Sequence, residues 1–132
     1  MWTDDLLTLL SSVGTLGSTI FISSQAVLPT MIPAAGVLTI SETGGSGTDE
    51  THNALIQPAY HHPGAQIVAR ASSYVTARAL ARSAYLALRI QNRSVNGTWY
   101  RSIKALQDPF DGGVDDSQRV QVIFNVVGDK SF

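Results

Sequence analysis

An α+β domain is expected, with a four- to five-stranded, mostly antiparallel sheet and helices packed on one of its faces. Three observations predict it. Runs of alternating or β-branched apolar residues recur without regular strand–helix–strand alternation; one strong amphipathic helix lies in the middle of the chain; and turn signals join successive strands as hairpins. At 132 residues the chain is expected to form a single domain, residues 1–132, with one core.

Taken in order, Asp4 and Asp5 follow Thr3, a candidate N-cap, and meet the positive end of a helix dipole. Leu6, Leu9, Leu10 and Val13 recur at helical spacing before Gly14, so a short helix is predicted over 4–13. Ile20-Phe21-Ile22 centres a short strand over 19–23, and Val37-Leu38-Thr39-Ile40 a second that ends near Glu42. Residues 43–64 are rich in Gly, Thr, His and Pro and lack periodicity. They read as a long flexible arm between the second and third strands, the alternative being an ordered β-excursion around Ala54–Ile56.

Ala65–Ala71 predicts the third strand. It leads into a helix that Ser72 or Ser73 can cap, with Tyr74, Ala77, Ala81, Ala84, Tyr85 and Leu88 on its buried face. Asn96-Gly97 marks a tight turn before a strand over 98–107. The final strand is expected over 119–127, with Val120, Val122, Phe124 and Val126 on one face; Ile123 and Val127 on the other suggest that this second face is partly covered as well.

Charge is sorted along the chain. Residues 1–62 hold five acids and no Lys or Arg, residues 63–107 hold seven bases and no acid, and residues 108–132 hold five acids against two bases. The net charge of −1 therefore conceals a dipolar sequence. Surfaces of opposite sign can recognise another copy head to tail, and such heterologous contacts close into rings when the rotation allows. On this reading Arg70, Arg78, Arg82, Arg89 and Arg93, with Asp115 and Asp116, are candidate subunit-interface residues. Two other readings stay open for Arg78, Arg82 and Arg89: a solvated helix face, or contact with nucleic acid, for which the pI near 6.2 is unusually low.

Catalytic chemistry is not legible. The absence of cysteine excludes disulfides, thiolate metal sites and a Cys nucleophile. His52, His61 and His62 with Asp49 and Glu50 match no metal-ligand spacing, and Gly44–Gly47 match no phosphate-binding or dinucleotide pattern. No nucleophile elbow occurs. Neither an enzyme nor a cofactor or metal site is expected. The apolar run Leu6–Leu10 is broken by Ser11, Ser12 and Gly14 and has no basic flank, so a soluble product with neither a signal peptide nor a membrane association is expected.

A leucine-rich first helix, the Ile20-Phe21 strand, Leu38-Thr39-Ile40-Ser41-Glu42-Thr43-Gly44-Gly45, and His52 with Pro58, Tyr60 and Pro63 together resemble the tail-terminator (tail-completion, minor capsid-type) proteins of long, flexible-tailed bacteriophages. Gln66–Ala71 followed by Tyr74, Ala77 and Ala81 is similar to that family's strand-into-helix core. Asn96–Tyr100, Ile103 through Pro109, and Arg119 with Phe124-Asn125 are similar to its later strands. No single motif is diagnostic. The resemblance implies a structural virion protein that forms a ring, typically a hexamer, at the head-proximal end of the tail tube. Such a ring stops tube polymerisation and offers a surface to the head. The implied partners are further copies of the chain, the tail tube protein, a head-closure or connector protein, and double-stranded DNA passing through the ring without sequence-specific binding. The implied location is the virion tail or neck, and the host cytoplasm during assembly. Another head–tail joining protein is the alternative. Glu42, Asp49, Glu50, His61 and His62 of the arm are candidate contacts to the tube or connector.

Overall fold

The computed structural model describes residues 2–14, 19–22, 36–44, 46–49, 60–114 and 119–130. Two helices and nine strands occur among them: α1 (Trp2–Leu9, continued by a 3-10 turn at Leu10–Ser12), β1 (Ile20–Ile22), β2 (Val37–Glu42), β3 (Ser46–Asp49), β4 (Tyr60–His62), β5 (Gly64–Ala71), α2 (Tyr74–Ala87), β6 (Ile90–Val95), β7 (Thr98–Ala105), β8 (Phe110–Val114) and β9 (Val120–Lys130). The α+β class is as expected, but nine strands replace the four or five predicted. The reason lies in the register. β2 and β3 run along one track and β4 and β5 along its neighbour, each broken by a short irregularity. β7 and β8 likewise follow one edge of β9 in succession. Nine segments therefore fill six tracks, in the order β1, β2/β3, β4/β5, β9, β7/β8, β6. All pairings are antiparallel except β1 with β2.

The expected flexible arm is corrected by this register. Its two ends are the antiparallel ribbon β3–β4, and β4 also pairs with β9 through His61 and Lys130. Residues 50–59, with the possible excursion at Ala54–Ile56, lie outside the described residues. The strand β6 was not expected either. Gln91–Ser94 are all exposed and Asn92 adopts φ 47°, so its sequence lacks the alternation of a half-buried strand. It exists because the Asn96-Gly97 turn folds it back onto β7. Both turn residues have positive φ, 51° and 82°, as a type I′ hairpin requires.

Both helices pack on one sheet face. Ile67, Ala69 and Ala71 of β5, Val122, Phe124 and Val126 of β9, and Leu38 and Ile40 of β2 are buried there against Leu6, Leu9 and Leu10 and against Ala77, Ala81 and Ala84 of α2. The alanines bring α2 close to the sheet. Ser73 caps it, accepting a hydrogen bond from the Thr76 amide (3.3 Å). Tyr85 meets Phe124 edge to face at 5.9 Å. Tyr74, predicted to be buried, is 42% exposed, because the first turn of α2 leaves the sheet and its hydroxyl accepts from Arg78 (3.1 Å).

α1 is anchored differently, and it begins at Trp2, so Thr3 lies inside it and is not its cap. The Trp2 indole donates to the Gly64 carbonyl (3.1 Å) and lies over Gly128, where a Cβ would come within 2.8 Å of the ring. Asp5 is fully buried. It accepts hydrogen bonds from the Tyr100 hydroxyl and from Asn96 Nδ2 (3.0 Å), which also donates to Thr8 (2.8 Å). Burial, this hydrogen bond and the charge of Asp5 all push the Tyr100 hydroxyl far above the usual phenol range. No helix of the described residues is long and apolar enough to cross a membrane.

Candidate assembly interface

The fold divides the basic block among several surfaces. Arg78 and Arg82 project from the exposed side of α2, and Arg89, just beyond the helix end, lies with its guanidinium 5.7 Å from the Tyr85 ring centre. Arg78, Arg82 and Tyr85 line a concavity of about 150 Å³ closed by Asp108 and Pro109. Arg93 is exposed on β6. Arg70 belongs to the opposite sheet face, where it is half-buried and donates to Thr39 Oγ1 (2.6 Å). Arg78, Arg82 and Arg89 thus share one side of the molecule; Arg70 does not join them. Asp115 and Asp116 lie outside the described residues.

Apolar side chains accompany the α2 cations. Val75 is 77% exposed and Leu86 51% exposed on the helix, and Val114, paired with Val120, is exposed on the same sheet face, whereas the exposed Leu106 and Phe110, beside Asn125 and Ile123, belong to the opposite face. Exposed apolar groups interleaved with arginine have the composition of an interface rather than of a purely solvated face. The spacing of Val75, Arg78, Arg82 and Leu86 at three and four residues carried this signal in the sequence. The basic residues draw attention first, and the apolar partners are easily passed over.

The arm residues separate in a similar way. Glu42 is exposed at the end of β2 and lines a concavity of about 220 Å³ with Trp2, Gly44, Pro63 and Gly64. Asp49 ends β3, and Glu50 lies outside the described residues. His61 and His62 are half-buried on β4. His62 forms an ion pair with Asp129, whose other oxygen accepts from Arg101 Nη2 (2.9 Å) and Nε (3.2 Å). Burial alone would raise the Asp129 carboxyl, but the hydrogen bonds from Arg101 and the neighbouring His62 outweigh it and hold the group below the usual carboxylate range. Partial burial, then the charges of Lys130 and His62, lower His61. This Arg101–Asp129–His62 cluster ties the root of the ribbon to β9 and β7. It was not foreseen, because its members lie far apart in sequence and only the register brings them together. Among the described residues no group of three or more His, Cys, Asp or Glu is placed to hold a metal ion.

The model of a bacteriophage tail terminator protein family matches residues 12–124. The chain belongs to that family. It is a structural, tail-related phage protein and a component of the virion. Among solved structures, a chain of the virion of a native gene transfer agent particle is similar at 17% identity. The similarity covers 96% of this chain and 84% of that one, with a TM-score of 0.57, and supports a shared fold. No curated protein sequence matches.

Proposed function

We propose that this tail terminator-family protein forms a closed homo-oligomeric ring, expected to be a hexamer, on the head-proximal end of the tail tube. The ring ends tube polymerisation and presents the surface to which the head attaches. Family membership supports this reading, and the observation that carries it for this chain is the exposed α2 side. Arg78, Arg82 and Arg89 stand there among the uncovered apolar residues Val75 and Leu86, on a molecule whose net charge is only −1. A basic and partly apolar surface on a nearly neutral protein is suited to an acidic surface of another copy. Arg93, with Asp115 and Asp116, is assigned to the same seams.

The β3–β4 ribbon, with Asp49, Glu50, His61 and His62, is the proposed contact to the tube or connector, held at its root by Asp129 and Arg101. Double-stranded DNA passes through the ring without sequence-specific binding, and assembly takes place in the host cytoplasm. Purified protein added to polymerising tail tube protein tests the function. Electron micrographs are expected to show tubes capped at one end, with growth arrested there. Tubes that keep lengthening at the same rate would refute the terminating role.

A further inference from the structure

Two concavities lie at the same level of the sheet, one beside β2 and β5 and the other beside β6 and β7. The larger, about 580 Å³, opens between the C-terminal end of α2 and the β6–β7 pair. Ile90 and Ile103 line it, Leu86, Arg89 and Lys104 are exposed around it, and no carboxylate is among its described lining. The smaller is the Glu42 concavity beside Trp2 and Pro63, with no Lys or Arg in its described lining. Register places them on one rung. Glu42 pairs with Ala65, Ala65 with Val126, and Val126 with Ala105, the neighbour of Lys104. Three interstrand steps separate the two ends of that rung, roughly 14 Å.

We infer that in the ring proposed above, on which this inference rests, the Glu42 concavity of one copy receives the Arg89 and Lys104 rim of the next. The two sites differ in charge and are built from different strands, so the contact is heterologous, the kind that generates a ring or a filament rather than an isolated dimer. Their common level means that one copy meets the next edge to edge without a large shift along the strands. Long cationic side chains lay their methylene stems along apolar surface while the charged head meets a carboxylate. The half-buried Pro63 supplies that surface here, with the buried Trp2 behind it, and Glu42 the carboxylate. Glu42, at the root of the ribbon, then serves the seam between copies and not the tube.

Charge reversal on the full-length chain tests the pairing by sedimentation at 50–150 mM salt. Glu42→Arg alone, and Arg89→Glu with Lys104→Glu, are each expected to raise the concentration needed for assembly about tenfold or more. The triple variant, in which both signs are exchanged, is expected to recover most of that loss. All three positions are exposed, so thermal melts followed by circular dichroism are expected to match the wild type; Glu42→Gln, which keeps the side-chain shape, provides a second variant with a smaller loss. Wild-type assembly together with an unaffected Glu42→Arg, or a triple variant no better than its parents, overturns this pairing and leaves the ring reading standing. A wild-type protein that does not assemble overturns the ring reading itself.

Discussion

The two helices cover the same sheet face by opposite means. α1 is short and adds directional contacts to its buried leucines: the Trp2 indole on the Gly64 carbonyl, and a buried Asp5 carboxylate that takes hydrogen bonds from Tyr100 and Asn96. α2 is held by shape, through a row of alanines pressed on β5 and β9, and its other side carries arginine and uncovered apolar groups. A buried polar network specifies one position for a short helix that propensity alone would not stabilise. An alanine face leaves the outer residues of a helix free of any role in the fold. The difference separates what holds this molecule together from the surface that its fold leaves uncovered.

Three substitutions probe that separation. The largest loss of stability is expected for Phe124→Ala, which opens a cavity where the sheet meets Tyr85 of α2. A cost of about 3–5 kcal/mol in chemical denaturation is expected. Tyr100→Phe keeps the ring but leaves the buried Asp5 carboxylate with one donor fewer, an expected cost of about 1–3 kcal/mol. Its pH dependence has a definite sign. The Tyr100 hydroxyl is raised in the folded protein, so its contribution is fully present below the ordinary phenol value of 10.0 and is lost as pH rises beyond it. The wild type is therefore expected to lose stability above that pH more steeply than Tyr100→Phe. The smallest effect is expected for Arg82→Glu, which makes no hydrogen bond or ion pair among the described residues. A change within about 0.5 kcal/mol is expected in the same denaturation series, while assembly weakens. A large loss of stability in Arg82→Glu would erase the distinction between the two helices.

Much of the α2 side was legible in the sequence, because its signals are local. Ser73 caps the helix, Ala77, Ala81 and Ala84 form its buried stripe, and the alternation of Val122, Phe124 and Val126 marks the strand beneath it. The Asn96-Gly97 turn is likewise a property of two adjacent residues. What sequence reading missed depends on partners distant in the chain. Ser46–Asp49 and Phe110–Val114 carry polar residues and glycine where a strand signal would need alternation, and they are extended because β4 and β9 offer unpaired backbone beside them. Asp5 read as a first-turn acid at the helix dipole; its buried hydrogen bond is to Tyr100, more than ninety residues away. For the candidate interface, the sorting of charge along the sequence pointed to α2, but it could not show that Arg70 and Arg101 turn to other surfaces.

The mass of the assembled species in solution tests the central claim most directly. Sedimentation or native mass spectrometry of the full chain at low salt and high concentration is expected to give a discrete closed multiple of 14.1 kDa, falling toward the single-chain mass as salt screens the contacts. A 14.1 kDa species alone, under the conditions that most favour association, would contradict it.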